Sequence, residues 1–369
     1  MKIGILTSSR ADFGIYIPLV KICLENKNID LHVIAFGSHL SNKHGYTIDE
    51  IKKYTSKIHA LKTPLVNNDS KDISSNIGKT ISKFSTFWNE NNFDCIFALG
   101  DRYEMFAAVT AASPFNLNIA HIHAGETTLG AIDNMYRHAI SLMSKILLVS
   151  TNEYKKVAEK INTEAKVYNV GALSIDNLKT QKLLSKKDFL EKFNINLHQP
   201  TILSTFHPET VDLEKNIKYT NEFLKSILHL SSKYQIVITL PNADTMGDYI
   251  RKEIFKFAKN KKNIIIVESF GMIGYLSCMK YCKFMIGNTS SGFVEAAFFP
   301  KWVINLGNRQ KGRLLTDNII SVPFSSKKII EAVKKIELNN KILTNQNIYG
   351  KGNAAQLIIE KITSSHGIQ

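Results

Sequence analysis

Cysteine is scarce in this chain of 369 residues. The four cysteines, Cys23, Cys95, Cys278 and Cys282, are scattered among apolar neighbours, which excludes a disulfide framework and is typical of a reducing compartment. Cys278 and Cys282 are four residues apart, so a helix would place both on one face. A zinc site needs two more ligands, and none is evident nearby. We therefore predict four buried core thiols.

Long apolar runs are missing as well. No segment reaches the ~20 consecutive apolar residues that a membrane-spanning helix needs. The apolar part of the N-terminal "MKIGILTSSR" is too short for a secretory signal. We expect a cytoplasmic protein without a membrane partner.

Acidic residues are outnumbered, since 32 Asp and Glu face 47 Lys and Arg and the formal net charge is +15. Such an excess suits a polyanionic partner. The lysines are spread along the chain, however, and RNP, zinc-finger and homeodomain signatures are absent. We expect an anionic substrate and no nucleic-acid partner, and a non-enzymatic polyanion-binding protein stays open as an alternative.

The sequence alternates short apolar runs with longer amphipathic stretches. A first series contains "KIGILTS", "DLHVIAF", "DCIFALG", "NIAHIHA" and "KILLVS", and a second contains "TILSTFH", "QIVITLP", "NIIIVE", "CKFMIGN" and "KWVINLG". This alternation indicates βα units and parallel sheets. We predict an α/β protein with two Rossmann-like, doubly wound parallel-sheet domains and a cleft between them.

The chain length favours two domains, and the turn-rich "NVGALSIDNL" ends the first series. We place an N-terminal domain at 1–172 and a C-terminal domain at 173–350. The segment "KGNAAQLIIEKI" near the end has the pattern of an amphipathic helix. We expect this helix, within 351–369, to complete the N-terminal domain.

In open parallel sheets, ligands bind beyond the carboxyl ends of the strands. Polar residues follow the predicted strands at these ends: Arg10, Asp101, Arg102, His123 and Glu126 in the first series, and His207, Asn242, Asp244 and 288–291 in the second. They are the first candidates for a functional site.

The segment "IGNTSSGFVEAA" (residues 286–297) predicts a strand, a turn of small residues and a helix start. Backbone N–H groups at a helix N-terminus, together with the hydroxyls of Thr289, Ser290 and Ser291, suit a phosphate. A capped helix with nothing bound is the alternative. Glu295, in the first helical turns, could accept two ribose hydroxyls, interact favourably with the helix dipole, or do both.

The segment "LGNRQKGR" follows the next predicted strand and carries Arg309, Lys311 and Arg313. Guanidinium groups match phosphate oxygens and would neutralise a departing diphosphate. A solvated basic loop is the alternative. Because the serine-rich turn lies at the same predicted sheet edge, we favour a diphosphate site.

The segment "AHIHAGETTLGAIDN" (residues 120–134) allows two interpretations. In the first, the titratable groups Asp101, His123, Glu126 and Asp133 form an acid–base cluster. In the second, His121 and His123 bind zinc, with Glu126 or His207 as a third ligand. Strand alternation counts against zinc, because His121 lies within the predicted strand whereas His123 has reached its end. We favour the acid–base cluster and a structural His121.

Taken together and in order, nine segments resemble the UDP-N-acetylglucosamine 2-epimerase family. They are "TSSRADFG", "FGSHLSNKHG", "LGDRYEM", "AHIHAGE", "AIDNMYRHAI", "FHPET", "LPNADT", "IGNTSSGFVEAA" and "NLGNRQKGR". They span nearly the whole chain and are most similar to the hydrolysing branch, which serves bacterial synthesis of sialic and related nonulosonic acids.

The resemblance implies a GT-B-like fold and a homodimer, with the nucleotide held mainly by the C-terminal domain. The implied reaction converts UDP-N-acetylglucosamine to N-acetylmannosamine and UDP by anti-elimination to a glycal and hydration, without a metal or redox cofactor. A UDP- or GDP-linked 2,4-diacetamido-2,4,6-trideoxyglucose (N,N'-diacetylbacillosamine), on the legionaminic-acid route, is the close alternative. A glycosyltransferase of the same architecture is a more distant one.

Site roles can be carried over position by position. The acid–base groups implied by the resemblance are Asp101, Asp133 and the residue at 123. The nucleotide-sugar contacts that it implies are Arg10, Arg102, His207, Asn242, Asp244, Thr289, Ser290, Glu295, Arg309 and Arg313, with a catalytic role also open for His207. Ser291, at a position where relatives vary, is kept with them as a candidate substrate contact. Relatives that act on UDP-N-acetylglucosamine commonly carry glutamate where this chain has His123.

Overall fold

A computed structural model of the chain describes residues 1–42, 46–64, 70–241, 246–339, 341, 343–344 and 347–366. Over these residues the strands are β1 (Lys2–Thr7), β2 (Asp30–Ala35), β3 (Ile58–Ala60), β4 (Cys95–Leu99), β5 (Ile119–Ile122), β6 (Ile146–Val149), β7 (Lys166–Asn169), β8 (Thr201–Thr205), β9 (Gln235–Thr239), β10 (Ile264–Val267), β11 (Phe284–Gly287), β12 (Val303–Leu306) and β13 (Ile319–Val322).

The α-helices of the same residues are α1 (Arg10–Glu25), α2 (Ile48–Lys52), α3 (Ser70–Glu90), α4 (Tyr103–Ala112), α5 (Asp133–Leu142), α6 (Asn152–Ile161), α7 (Leu173–Thr180), α8 (Lys186–Phe193), α9 (Lys215–Leu230), α10 (Gly247–Ala258), α11 (Gly271–Tyr281), α12 (Glu295–Phe298), α13 (Ser326–Leu338) and α14 (Ala354–His366). Short 3₁₀ turns occur among them, including one at Ser290–Gly292.

The chain divides into two compact units. Unit 1 contains Met1–Glu126, Asp133–Lys179 and Ile348–Gln369, and unit 2 contains Thr127–Ile132 and Thr180–Asn347. The C-terminal helix α14 lies in unit 1, where Ile358 joins the core that also contains Leu19 of α1. The six residues 127–132 lie between two stretches of unit 1 in the sequence but pack within unit 2.

Each unit is built on one parallel sheet, which confirms the predicted α/β class. The strand order is β3-β2-β1-β4-β5-β6-β7 in unit 1 and β10-β9-β8-β11-β12-β13 in unit 2. In both sheets the order reverses next to the first strand, between β1 and β4 and between β8 and β11. Such a switch point leaves a crevice at the carboxyl ends of the two strands, where ligands bind in doubly wound folds.

The central strand β4 is apolar throughout because both faces of its sheet are covered. In β4, Cys95, Phe97 and Leu99 belong to one core cluster, and Ile96 and Ala98 belong to another. Successive side chains of a strand point to opposite faces, so the two clusters flank the sheet, as expected for an all-parallel sheet.

One glycine is required at the switch point of unit 2. Gly287, the last residue of β11, pairs with Thr205 of β8 and has φ +154°. A Cβ at this position would lie 2.0 Å from the carbonyl oxygen of Thr205, a contact that no side chain can make. Gly287 therefore lets the two strand ends approach each other at the crevice.

All four cysteines are buried and free, as predicted. None of the described helices has both the length and the apolar character that crossing a bilayer requires.

Two buried histidines hold strand ends in unit 1. His121 donates from Nε2 to the carbonyl oxygen of Gly100 (2.8 Å), so its Nδ1 accepts from the Ser141 hydroxyl (2.9 Å). His39 is hydrogen-bonded to the hydroxyls of Thr7 (2.9 Å) and Thr47 (2.8 Å). Burial lowers the pKa of His121 to about 3 and the pKa of His39 to about 4.

We expect the free energy of unfolding to fall when the pH is lowered from 6.5 towards 4. The unfolded chain binds protons at these histidines at a pKa of about 6.5, whereas the native state excludes them until the pKa of each buried ring is reached. Each histidine contributes a slope of up to about 1.4 kcal/mol per pH unit in this window. Urea unfolding of wild type and His121→Gln at pH 5 and pH 7 measures this slope.

In His121→Gln, the free energy of unfolding should depend less steeply on pH, because the contribution of one buried histidine is removed. His198→Gln, at an exposed position, serves as the control and should retain the wild-type slope. An unchanged slope in His121→Gln would contradict a buried, neutral His121.

Candidate active site

Four side chains of unit 1 meet at the carboxyl ends of β4 and β5. Asp101 follows β4 after Gly100, His123 follows β5 directly, and Glu126 lies three residues further on. The fourth is Arg137, in the second turn of α5. The structure therefore brings together three of the predicted acid–base residues around a guanidinium group that the sequence analysis did not select.

Arg137 is the connector of this cluster, and its side chain is only 3% exposed. Its Nη2 donates to Oδ2 of Asp101. Its Nη1 donates to the carbonyl oxygen of His123 (2.9 Å) and lies 3.6 Å from Oε2 of Glu126. One buried cation thus faces two carboxylates and one backbone carbonyl, which satisfies the rule that buried charges must be paired.

The His123 ring faces Glu126. Its Nδ1 lies 3.6 Å from Oε1 of Glu126, whose side chain is 1% exposed, and the Ser150 hydroxyl donates to the same oxygen (3.2 Å). The backbone of His123 is left-handed, with φ +66°, a conformation that costs about 1–2 kcal/mol for a residue with a Cβ. Strain of this kind concentrates at functional sites, so the turn that aims His123 is a local sign of function.

Asp133 is the first residue of α5, four residues before Arg137. Residues at this spacing lie on the same face of a helix, with Cβ atoms about 5–6 Å apart. Arg102 is held by Glu104, with 3.2 Å from Nε to Oε2 and 3.1 Å from Nη2 to Oε1. Arg10 is the exposed first residue of α1. These three predicted residues thus follow the ends of β5, β4 and β1 in unit 1.

The zinc interpretation finds no support in this geometry. Both ring nitrogens of His121 are used in hydrogen bonds within the fold. Among the described residues, no group of three or more His, Cys, Asp or Glu side chains could hold a metal ion. His121 positions the strand end before Asp101 through the Gly100 carbonyl.

In unit 2, a buried asparagine joins the ends of β8 and β11. Oδ1 of Asn288 accepts from the N–H of His207 (2.7 Å), and its Nδ2 donates to the carbonyl oxygen of the same residue (2.8 Å). Asn288 is completely buried and His207 is 7% exposed. The two hydrogen bonds between the His207 backbone and the Asn288 side chain therefore fix this predicted site residue at the switch point.

The basic loop, residues 307–313, follows β12 and lies beside Asn288. Gln310 donates from Nε2 to the Asn288 carbonyl oxygen (2.8 Å), and its Oε1 accepts from Nε of Arg313 (2.7 Å). Nη1 of Arg309 lies 3.4 Å from the same Asn288 carbonyl. The two predicted diphosphate ligands are thus oriented by an amide network that begins at His207.

The segment 127–132 packs against the basic loop. The N–H of Leu129 donates to the carbonyl oxygen of Lys311 (2.9 Å), and the N–H of Ile132 donates to Oγ1 of Thr210 (3.0 Å). A Cβ on Gly130 would lie 2.4 Å from the carbonyl oxygen of Asn308. Only glycine permits this approach, so the loop is supported by a segment whose neighbours in the chain are Glu126 and Asp133.

The strand, turn of small residues and helix start predicted for residues 286–297 follow one another as β11, the turn at Ser290–Gly292 and α12. Thr289, Ser290 and Ser291 lie in and before this 3₁₀ turn, and α12 begins at Glu295 and has four residues. The N–H groups of 292–294 donate to carbonyl oxygens of Thr289 and Ser290. The turn thus uses these N–H groups itself, whereas the sequence predicts unpaired N–H groups at the helix start.

A tyrosine also lies at this turn. The Tyr275 hydroxyl, on α11, is buried; this burial, and to a smaller extent the Glu295 carboxylate, raise its pKa well above the usual value. The predicted contacts Asn242 and Asp244 lie outside the described residues.

Sequence reasoning missed four residues that the structure places in these sites: Arg137, Gln310, Tyr275 and Glu209, whose Oε1 accepts from the N–H groups of Asn308 (2.5 Å) and Arg309 (3.2 Å) in the basic loop. Arg137, Glu209 and Gln310 occur inside quoted motifs, "AIDNMYRHAI", "FHPET" and "NLGNRQKGR". The available signal for Arg137 was its position four residues after Asp133 on one helix face. Tyr275 gave no signal, because it lies in the middle of an apolar helix.

Two Rossmann-like parallel sheets, each with polar residues at its strand ends, define an α/β protein of GT-B-like architecture. The family described as UDP-N-acetylglucosamine 2-epimerase matches residues 21–363. The chain belongs to this family and to its hydrolysing branch, and it is an enzyme.

Two relatives and one solved structure illustrate the similarity. A Campylobacter jejuni protein named GDP/UDP-N,N'-diacetylbacillosamine 2-epimerase (hydrolyzing) is 35% identical over 341 residues, which cover 91% of this chain and 87% of that protein. The Escherichia coli polysialic acid biosynthesis protein P7 is 32% identical over 359 residues, covering 96% and 91%. The Neisseria meningitidis UDP-GlcNAc 2-epimerase bound to UDP-GlcNAc shares the fold, with a TM-score of 0.82, 20% identity and coverage of 99% and 100%.

Replacing Arg137 with alanine should lower the free energy of unfolding by about 3–5 kcal/mol, because two carboxylates would lose their buried cation. Urea unfolding at neutral pH measures the effect. Arg251→Ala is the matched control, since it breaks an exposed pair with Glu268 (2.7 Å) and should cost at most about 1 kcal/mol. Equal effects of the two variants would argue against the connecting role of Arg137.

Proposed function

We propose that the protein is a hydrolysing nucleotide-sugar 2-epimerase. The observation that carries the proposal is the grouping of Asp101, Glu126 and the His123 ring around the buried guanidinium of Arg137 at neighbouring strand ends. Family membership supports the same reaction. A cluster of this kind can hold a proton at one group and accept one at another, as elimination followed by hydration requires.

The chemistry has two steps. A base removes the proton from C2 of the sugar, the electron pair forms the C1–C2 double bond, and the bond from C1 to the diphosphate oxygen breaks on the opposite face. Water then adds to the glycal: its hydroxyl goes to C1, and a proton returns to C2 on the face that gives inversion. The products are the free C2-inverted sugar and the nucleoside diphosphate.

We assign the proton transfers to Asp101, His123 and Asp133. Glu126 contacts the His123 ring from a buried position and is proposed to act through it. His207 is kept as a further group that could contact the sugar or transfer a proton.

We assign nucleotide binding mainly to unit 2. Arg309 and Arg313 neutralise the charge that develops on the leaving diphosphate. The hydroxyls of Thr289, Ser290 and Ser291 add donors, and the Glu295 carboxylate accepts ribose hydroxyls. Arg10, Arg102, Asn242 and Asp244 complete the proposed contacts.

The first candidate substrate is UDP-N-acetylglucosamine, which would give N-acetylmannosamine for synthesis of a sialic-type acid. The E. coli relative named for polysialic acid biosynthesis supports this candidate. The second is a UDP- or GDP-linked 2,4-diacetamido-2,4,6-trideoxyglucose. The Campylobacter jejuni relative named for that sugar, at 35% identity, favours it.

Incubation with each nucleotide sugar in deuterated water tests the proposal. We expect release of a free, inverted sugar that carries deuterium at C2, together with the nucleoside diphosphate, with water as the only acceptor. The ratio of kcat/KM values identifies the substrate. Release without deuterium at C2 would rule out the elimination, and a need for a second sugar or other acceptor would indicate a glycosyltransferase.

Asp101→Asn and Asp133→Asn should each lower kcat by about 10²-fold or more, because an amide cannot exchange the proton. Both variants should keep UDP affinity within about threefold, as calorimetry would measure, since we assign nucleotide binding to unit 2. Asp49→Asn, at an exposed pair with Lys52, is the control and should leave kcat unchanged. Near-normal turnover of both active-site variants would refute their assigned roles.

A further inference from the structure

We propose that Glu209 is a positioning residue that sets the shape of the basic loop through its backbone. The inference rests on the proposed binding of a diphosphate by Arg309 and Arg313, and it adds a residue to which neither motif spacing nor the family resemblance gave a role. All contacts of Glu209 that support the inference lie within unit 2.

Glu209 accepts two backbone hydrogen bonds from the loop. Its Oε1 lies 2.5 Å from the N–H nitrogen of Asn308 and 3.2 Å from that of Arg309. The residue is 4% exposed. Burial raises the pKa of the Glu209 carboxyl group, and the two N–H donors oppose that shift. A buried carboxyl group that bonds to backbone donors fixes the path of the chain that supplies them.

The backbone of Glu209 is itself held rigidly. Its N–H donates to Oδ1 of Asn216 (2.9 Å), and its carbonyl oxygen accepts from Nδ2 of the same side chain (2.9 Å). Asn216 is completely buried. The Glu209 side chain therefore extends from a fixed point.

The loop is shaped to receive this carboxyl group. Gly307 has φ +68°, and a Cβ on it would lie 2.3 Å from Oε1 of Glu209. A side chain at 307 would thus occupy the space that the carboxyl group needs. The left-handed glycine and the buried glutamate form one complementary arrangement.

This arrangement determines how the loop can bind an anion. The N–H groups of Asn308 and Arg309 point at Glu209, so phosphate recognition falls to the arginine side chains. On the other side of the loop, Gln310 links the Asn288 carbonyl to Nε of Arg313. Glu209 and Gln310 together fix the two points from which the arginines leave the backbone.

Three substitutions separate geometry from charge. Both hydrogen bonds end on one oxygen, so Glu209→Gln can keep them without the charge, whereas Glu209→Asp keeps the charge but withdraws the oxygen by one methylene. We expect Gln to bind UDP within about threefold of wild type, and Asp and Ala to bind it about tenfold or more weakly. KM should rise in parallel, while kcat at saturating substrate should stay within about threefold.

Calorimetry with UDP and steady-state kinetics supply these values, after circular dichroism has confirmed that each variant is folded. Glu222→Ala is the matched control: it removes another carboxylate that accepts a backbone N–H in unit 2, from Ser326 (2.7 Å), and should leave UDP affinity and KM unchanged. The mild Asp substitution keeps the test decisive if Ala does not fold.

Three results would overturn the inference. The first is wild-type UDP affinity in folded Glu209→Asp. The second is a series in which the UDP affinity of the Asp variant resembles that of wild type while that of the Gln variant resembles that of the Ala variant, and the third is a fall in kcat at unchanged KM. UDP binding that survives both Arg309→Ala and Arg313→Ala is a different result. It would contradict the proposed diphosphate site itself, independently of the Glu209 series.

Discussion

The buried guanidinium of Arg137 is the interaction on which the site of unit 1 depends. Asp101 and Glu126 lie on different strand-end turns, and two carboxylates that approach each other out of water repel strongly. A cation between them removes that repulsion, and its planar fork reaches both acids and the His123 carbonyl at once. Because the cation sits on α5, the helix that Asp133 begins, one residue fixes two strand-end turns and one helix relative to each other.

In unit 2, neutral amide side chains fix the backbone after the strand ends. Asn288 and Asn216 are each completely buried, and each binds both the N–H and the carbonyl oxygen of a single residue, His207 or Glu209. A neutral amide costs less to bury than an ion, and it adds no negative charge of its own beside the arginines to which we assign an anionic ligand. The charged and neutral arrangements thus match the proposed division of labour: proton transfer in one unit, binding of a diphosphate in the other.

The fold followed from the sequence because short apolar runs and longer amphipathic stretches report local periodicity. The positions of Asp101, His123 and His207 followed too, since a strand end is a local feature. The role of Arg137 did not follow, because the sequence pattern of a helix does not distinguish a buried arginine from an exposed one until its partners are known. The hydrogen bonds that the turn at Ser290–Gly292 makes within itself could not be read from the sequence, and the packing of 127–132 within unit 2 depends on contacts remote in sequence.

His123 changes the charge balance of the cluster. With a neutral imidazole, two carboxylates and one guanidinium sum to −1; with a glutamate at this position, three carboxylates would give −2. Crowded carboxylates raise one another's pKa, so a cluster with glutamate at 123 would favour one protonated acid. When His123 accepts a proton, the cluster becomes neutral, and the cation formed lies 3.6 Å from the Glu126 carboxylate. A base that ends as a stabilised cation can support negative charge developing at C2, which a protonated glutamate can do only by hydrogen bonding.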